Sequence, residues 1–261
     1  MSGEAPVVLP QEGALNPNNG AKDIGPERLV AAARLCGVSC LVLLGLSFAA
    51  SAAGLSSQEI IRNMETAYGK VEDYRVRVEV TTFADDGSAS IERFLYSFKK
   101  PNRIRLDFEE PHHGLTMIYP DEKGKVFVRP SGLAHLFSFH LSPKSRLLAV
   151  SPGQRIDQTD MGQLIRNIAH SLTDRRLGPA AITEEGSIIR IRVLAADHFV
   201  AGVATLYRFL IDGRTWLPKG VEEATPAGKK RRTVAFLDLR TNVGIPDEFF
   251  RTDGARGDAG G

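Results

Sequence analysis

Residues 96–111 read YSFKKPNRIRLDFEEP. From Arg103 to Phe108, charged and apolar residues alternate: Arg103, Ile104, Arg105, Leu106, Asp107, Phe108. Strict alternation is the pattern of a β-strand with one wet and one dry face. The Lys-Lys-Pro-Asn just before it is a turn. Upstream of the turn, Phe94, Tyr96 and Phe98 hold the same period. The dry face of this hairpin therefore carries Phe94, Tyr96 and Phe98 opposite Ile104, Leu106 and Phe108. What covers that face decides the function: an ordinary core closes it, whereas a ligand needs it partly open.

The same period runs outward in both directions. In YRVRVEVTTF, Tyr74, Val76, Val78 and Val80 share one face, and a turn at ADDGS leads into the hairpin. Short strands are expected at Leu115–Tyr119, Lys125–Arg129 and Leu133–Leu141, separated by PDEKG and PSG. A further set is expected at Ser187–Ala195, Thr205–Ile211, Leu217–Glu223 and Arg231–Arg240. Two stretches change to the helical period. SSQEIIRNMETAYGKV has Ser56 or Ser57 as N-cap, a stripe of Ile60, Ile61, Met64 and Tyr68, and Gly69 as a stop. The second helix has Asp160 as N-cap and a stripe of Met161, Leu164, Ile165, Ile168 and Leu172.

The order is helix, six strands, helix, four strands, with tight connections. That predicts an α+β domain over residues 53–250, built on one antiparallel sheet of about ten strands. A twisted sheet of that size curls into an open half-barrel, and the two amphipathic helices must cover its concave apolar face.

Residues 1–52 are read as a polar leader plus a cleavable secretory signal. Arg28 and Arg34 flank an apolar run from Leu35 to Ala50, and Ala50-Ser51-Ala52 is a small-x-small cleavage site. The run is shorter than the roughly 20 residues of a membrane span; an uncleaved anchor is the alternative. The expected location is therefore exported and periplasmic. Both cysteines, Cys36 and Cys40, lie inside the run, so the mature chain has no thiol for a disulfide, a metal or a nucleophile. Residues 251–261 are expected to be a disordered tail.

Composition excludes some functions. A formal net charge of +2 gives no basic field for nucleic acid. No phosphate loop, dinucleotide fingerprint, nucleophile elbow, zinc-protease helix or calcium loop is present. The six histidines nominate no site; His112 and His113 adjoin in a turn, and His135 and His140 have opposite strand parity. No metal, cofactor or catalytic residue is expected. The run Lys229–Arg232, KKRR, reads as a solvated turn entering a strand, with an anionic surface as the less favoured alternative. The arginine rows Arg75/Arg77, Arg103/Arg105 and Arg190/Arg192 are expected on the outer face of the sheet.

FKKPNRIRLDFEEP followed by LTMIYPDEKGKVFVRPSG resembles the LolA-like lipoprotein-carrier superfamily, in its basic-Pro-Asn turn, apolar strand, acidic loop and following hairpin. The ending is also similar, with Phe236, Asn242, Ile245, Phe249 and Phe250 matching. The resemblance covers Ser57 to Phe250. It implies an open curved sheet with helices as a lid over an apolar cavity, which the strand pattern suggests independently. It also implies a soluble monomeric carrier for lipoprotein acyl chains or lipid, without covalent chemistry, working with a membrane donor or acceptor protein. The alternative is an envelope sensor or interaction module on the same fold, and an exported enzyme is less favoured. In the family an arginine before the turn proline latches the lid; that position is Lys100, which lacks the planar fork of arginine. The ligand-binding set expected here is Phe94, Tyr96, Phe98, Lys100, Ile104, Leu106 and Phe108.

Overall fold

A computed structural model describes residues 54–132, 137–145, 148, 154–174 and 176–252. The leader, the proposed cleavage site and residues 253–261 lie outside the described residues, as does the start of the strand expected at Leu133–Leu141. Helix α1 (Ser57–Gly69) precedes strands β1 (Asp73–Phe83), β2 (Ala89–Lys99), β3 (Arg103–Glu110), β4 (Thr116–Tyr119), β5 (Val126–Arg129) and β6 (Phe139–Leu141). Helix α2 (Met161–Thr173) follows. The chain then forms β7 (Ala181–Glu185), β8 (Ile188–Ala196), β9 (Ala204–Asp212), β10 (Leu217–Ala224) and β11 (Lys230–Thr241).

The eleven strands form one antiparallel sheet in the order β6-β5-β4-β3-β2-β1-β11-β10-β9-β8-β7. Its two ends do not pair, so the curved sheet is an open half-barrel. Each half is a meander, and the halves join where β1 pairs β11. The sequence reading lacked one strand, β7. Ala181–Glu185 is a polar edge strand with one neighbour and little burial, so it carries no alternation to read.

The register explains the core. Tyr96 pairs Leu106 and Phe98 pairs Ile104 across β2 and β3, while Val76 pairs Tyr96 and Val78 pairs Phe94 across β1 and β2. All face the concave side. Tyr74 stacks on Tyr96 and Phe98 at 5.9 and 5.1 Å between centroids. Ile60 and Met64 of α1 and Met161, Ile165, Ile168 and Leu172 of α2 are buried in the same cluster, so both helices cover the concave face.

The caps differ in detail from expectation. Ser56 closes a full capping box with Glu59, whose carboxylate accepts from the Ser56 N–H at 2.9 Å. Gly69 is not a left-handed stop: it is the last helical residue, and Lys70 follows in the right-handed region. Lys100 also serves this end: its Nζ donates to Gly69 O at 3.1 Å and to Tyr68 O at 3.3 Å, the latter shared with Val71 N. Lys100 thus ties the β2–β3 turn to α1. Lys100→Ala is expected to cost about 1 kcal/mol and to speed amide exchange in the last turn of α1, with Lys100→Arg restoring protection.

The two helices meet closely at Gly162, where a Cβ would lie 2.5 Å from the Tyr68 ring. Only glycine fits there. The N-terminus of α2 is pinned to the sheet by Tyr74, whose hydroxyl accepts from Met161 N at 3.0 Å.

The convex face is not simply solvated. After β11 the chain crosses beneath the sheet. Asp73 is 4% exposed, and its carboxylate accepts from Val243 N at 2.7 Å and Ile245 N at 2.9 Å. Asn242, with φ of 55°, accepts from Glu72 N and donates to Lys70 O. The segment then buries Ile245 and Phe250 against Ile118 and Phe127. Phe249 sits between the guanidiniums of Arg75 and Arg105, 4.5 and 4.3 Å from its ring centroid. The arginine rows do mark the outer face, but Arg105 is only 9% exposed because this segment covers it. The segment after β11 is therefore a strap for the convex face.

Candidate functional site

A cavity of about 80 Å³ lies between the concave face and the start of α2. Its floor spans six neighbouring strands, from Leu106 on β3 to Tyr207 and Phe209 on β9, and includes Val78, Val221 and Val234. Its roof is Gln158, Thr159, the N-cap Asp160, Leu164 and Asn167. The floor is apolar because alternate residues of each strand face inward. Besides the polar roof, Gln154, His198, Glu223 and Arg232 join the wall.

Of the residues expected from the sequence, Phe94, Tyr96 and Leu106 line this cavity. Phe98, Ile104 and Phe108 share the concave face but are packed in the closed core, with Phe108 against Phe94 at 5.1 Å. Lys100 lies away from the cavity, on the α1 carbonyls. The sequence reading missed the contribution of β9, β10 and β11. The signal was present in β9 and β11, where Tyr207 and Phe209, and Val234 and Phe236, keep the two-residue period, but β10, LPKGVEEA, does not alternate.

The polar side chains here have a defined electrostatic order. Burial pushes the Asp197 carboxyl up, but donors outweigh it. Thr205, the N–H groups of Phe199 and Val200, and Arg231 at 3.1 Å hold it below the ordinary carboxylate range. Burial raises Glu223 above its ordinary value, although Arg232 opposes this from 4.0 Å. His198 is stacked on Tyr207 at 4.3 Å, and burial lowers its pKa to about 4, so it is neutral at pH 7.

His198 Nε2 and Ser171 Oγ share a hydrogen bond of 2.8 Å, the pairing a serine nucleophile would need. Ser171 is 1% exposed and is not part of the cavity wall. Asp197 spends its carboxylate on Thr205, Arg231 and backbone rather than on the imidazole. The pair therefore fixes α2 to the 197–203 loop. Among the described residues there is no group of three or more side chains with metal-ligand chemistry.

The KKRR run turns into β11, with Lys229 and Lys230 exposed, Arg231 half-buried and Arg232 buried. Lys229 and Lys230 pair on the surface with Asp85 and Glu222. Arg231 and Arg232 both serve the concave side. Glu223 pairs Arg232 and Ala224 pairs Lys230, so Arg231 is the extra residue of a β-bulge. A bulge breaks the two-residue period and re-aims a side chain.

The half-barrel with both helices over an apolar concave face is the arrangement that the resemblance to lipoprotein carriers implies. No protein-family model matches the chain and no curated protein matches it. Similar solved structures include a LolA superfamily protein from Nitrosomonas europaea, with 14% identity and a TM-score of 0.37, covering 76% of this chain and 99% of that one. A putative outer membrane lipoprotein-sorting protein domain from Vibrio parahaemolyticus has 9% identity and a TM-score of 0.39, covering 77% and 100%. The Pseudomonas aeruginosa MucA/MucB complex has 12% identity and a TM-score of 0.41, covering 74% of this chain and 60% of that one. Among the described residues, no helix is long and apolar enough to cross a membrane.

Proposed function

We propose that this protein is an exported, periplasmic binding or carrier protein for an acylated ligand, lipoprotein or lipid, that holds the acyl chain against the concave face without covalent chemistry. The observation that carries this reading is the apolar floor left unfilled beneath α2. Transfer of an alkyl chain out of water supplies roughly 0.8 kcal/mol per methylene, so binding needs no reactive group. The leader supports export, through its apolar run and small-x-small site.

The cavity volume sets a condition on this function. About 80 Å³ accommodates roughly five to eight water-sized groups, which is a short alkyl segment and not a whole lipid chain. Loading a long chain therefore requires α2 to lift, breaking the contacts of Met161 N with Tyr74 and of Thr159 with Tyr96 at 3.1 Å. Those contacts make release a lid movement, which a membrane donor or acceptor can drive.

A cavity-filling substitution tests the reading. Val221 is buried in the floor on β10. Val221→Phe is expected to weaken binding of a fluorescent fatty-acid probe by more than about tenfold while leaving the thermal midpoint unchanged or higher, because it fills space instead of creating it. Unchanged probe affinity in a folded variant would count against the cavity as the binding site.

The sensor or interaction-module reading has its own observation. Phe137 and Phe139 are 66% and 51% exposed at β6, the last strand at one side of the sheet among the described residues, a surface suited to a protein partner. A stable complex with a membrane protein in the absence of bound lipid would favour it.

A further inference from the structure

Arg232 is 92% buried by its 8% exposure, and it forms part of the cavity wall. Burying a guanidinium is costly unless its charge and its five donors are met. Here they are not. Both Nη atoms donate to one atom, Gln154 Oε1, at 3.2 and 3.3 Å. Two contacts to a single oxygen use the end of the guanidinium and leave its side edge. Nε, on that edge, is buried with no hydrogen-bond partner.

The charge has one ion-pair partner, held beyond hydrogen-bond distance. Arg231 is neutralised by Asp197 at 3.1 Å, and His198 is neutral. The carboxylate of Asp160, across the cavity, accepts from Gln163 N and Tyr68 Oη. Glu223 is the nearest acid to Arg232, an ion pair at 4.0 Å, beyond hydrogen-bond range. Arg232 pairs Glu223 in the same unbroken register as Val234 with Val221, so ordinary alternation turns it into the cavity, and the bulge beyond it brings Arg231 to the same side. The outcome is a buried cation in the cavity wall whose Nε has no hydrogen-bond partner.

We infer that Arg232 anchors the anionic headgroup of a single-chain amphiphile, a carboxylate or a phosphate, whose tail lies along the floor formed by Val221, Val234 and Phe209. The side edge of a guanidinium matches a planar carboxylate or two phosphate oxygens with two parallel hydrogen bonds. The inference rests on the binding function proposed above and adds a headgroup preference to it.

The test is calorimetric titration of the purified protein with dodecanoate, dodecyl phosphate, dodecanol and dodecyltrimethylammonium. Wild type is expected to bind the two anions at least about tenfold tighter than dodecanol, and the cation weakest; the order of the two anions separates a fatty acid from a phosphate headgroup as the source. Arg232→Gln is expected to erase the anion preference and keep the dodecanol affinity. Should that variant not fold, Arg232→Lys, which keeps the charge without the fork, is expected to bind dodecanoate several-fold more weakly than wild type. Equal affinity of wild type for dodecanol and dodecanoate overturns the headgroup site and leaves the carrier reading standing. The same follows if Arg232→Gln keeps the preference, or if Arg232→Lys, tested in its place, matches wild type. Absence of binding by all four overturns the carrier reading itself.

Discussion

Asp73→Ala is expected to lower stability by about 3 kcal/mol, and the thermal midpoint by on the order of 10 °C. The carboxylate is 4% exposed and takes the N–H groups of Val243 and Ile245 at 2.7 and 2.9 Å. Removing it leaves two backbone donors unpaired where water has little access, and each such loss costs about 1–3 kcal/mol. The damage should spread along the strap. Ile245 and Phe250 hold the Ile118–Phe127 cluster, and Asp247 bridges Lys99 and Arg103 at 2.6 and 3.0 Å. Asp73→Asn keeps one good acceptor and should lose about half as much. Chemical denaturation of the three proteins checks this, and equal midpoints for wild type and Asp73→Ala would remove the strap from the account of stability.

The second large effect is a dependence on acidity centred on His198. Its folded pKa is about 4, below the ordinary 6.5, because burial against Tyr207 and Phe209 disfavours the imidazolium. Between those two values the unfolded chain binds a proton that the folded chain does not. Stability from this group is therefore complete above about pH 6.5 and falls as the pH drops towards 4, by roughly 3 kcal/mol in all. Glu223, raised by burial, acts with the opposite sign over part of the window, since the folded state holds its proton longer. The comparison of wild type with His198→Phe isolates the histidine. Unfolding free energy measured from pH 7 to pH 4.5 should fall more steeply in wild type, and parallel curves would contradict the assignment.

Much of this architecture is legible in the sequence, for a physical reason. A half-buried strand must alternate, so β1, β2, β3, β8, β9 and β11 announce themselves, and the stripes of α1 and α2 could only face a concave apolar surface. What was not legible depends on departures from strict period or on distant contacts. β7 has one neighbour and almost no burial, so nothing forces its residues to alternate. Arg231 and Arg232 both serve one face because of a bulge that parity reasoning assumes away. Asp73 looks like the polar start of a strand until the chain returns about 170 residues later with two N–H groups for it. For the cavity, alternation identifies inward residues but not which of them α2 leaves uncovered. Phe94, Tyr96 and Leu106 fell on the open part and Phe98, Ile104 and Phe108 under packed side chains.

The central claim is that the concave face takes up an acyl chain when α2 lifts. Native mass spectrometry of the protein purified from the envelope of its own cell tests this most directly. The account predicts a population heavier than the bare chain by the mass of one acylated molecule, released as lipid or lipoprotein on gas-phase activation and absent from Val221→Phe. A single species at the mass of the bare chain, in wild type as in the variant, would contradict it.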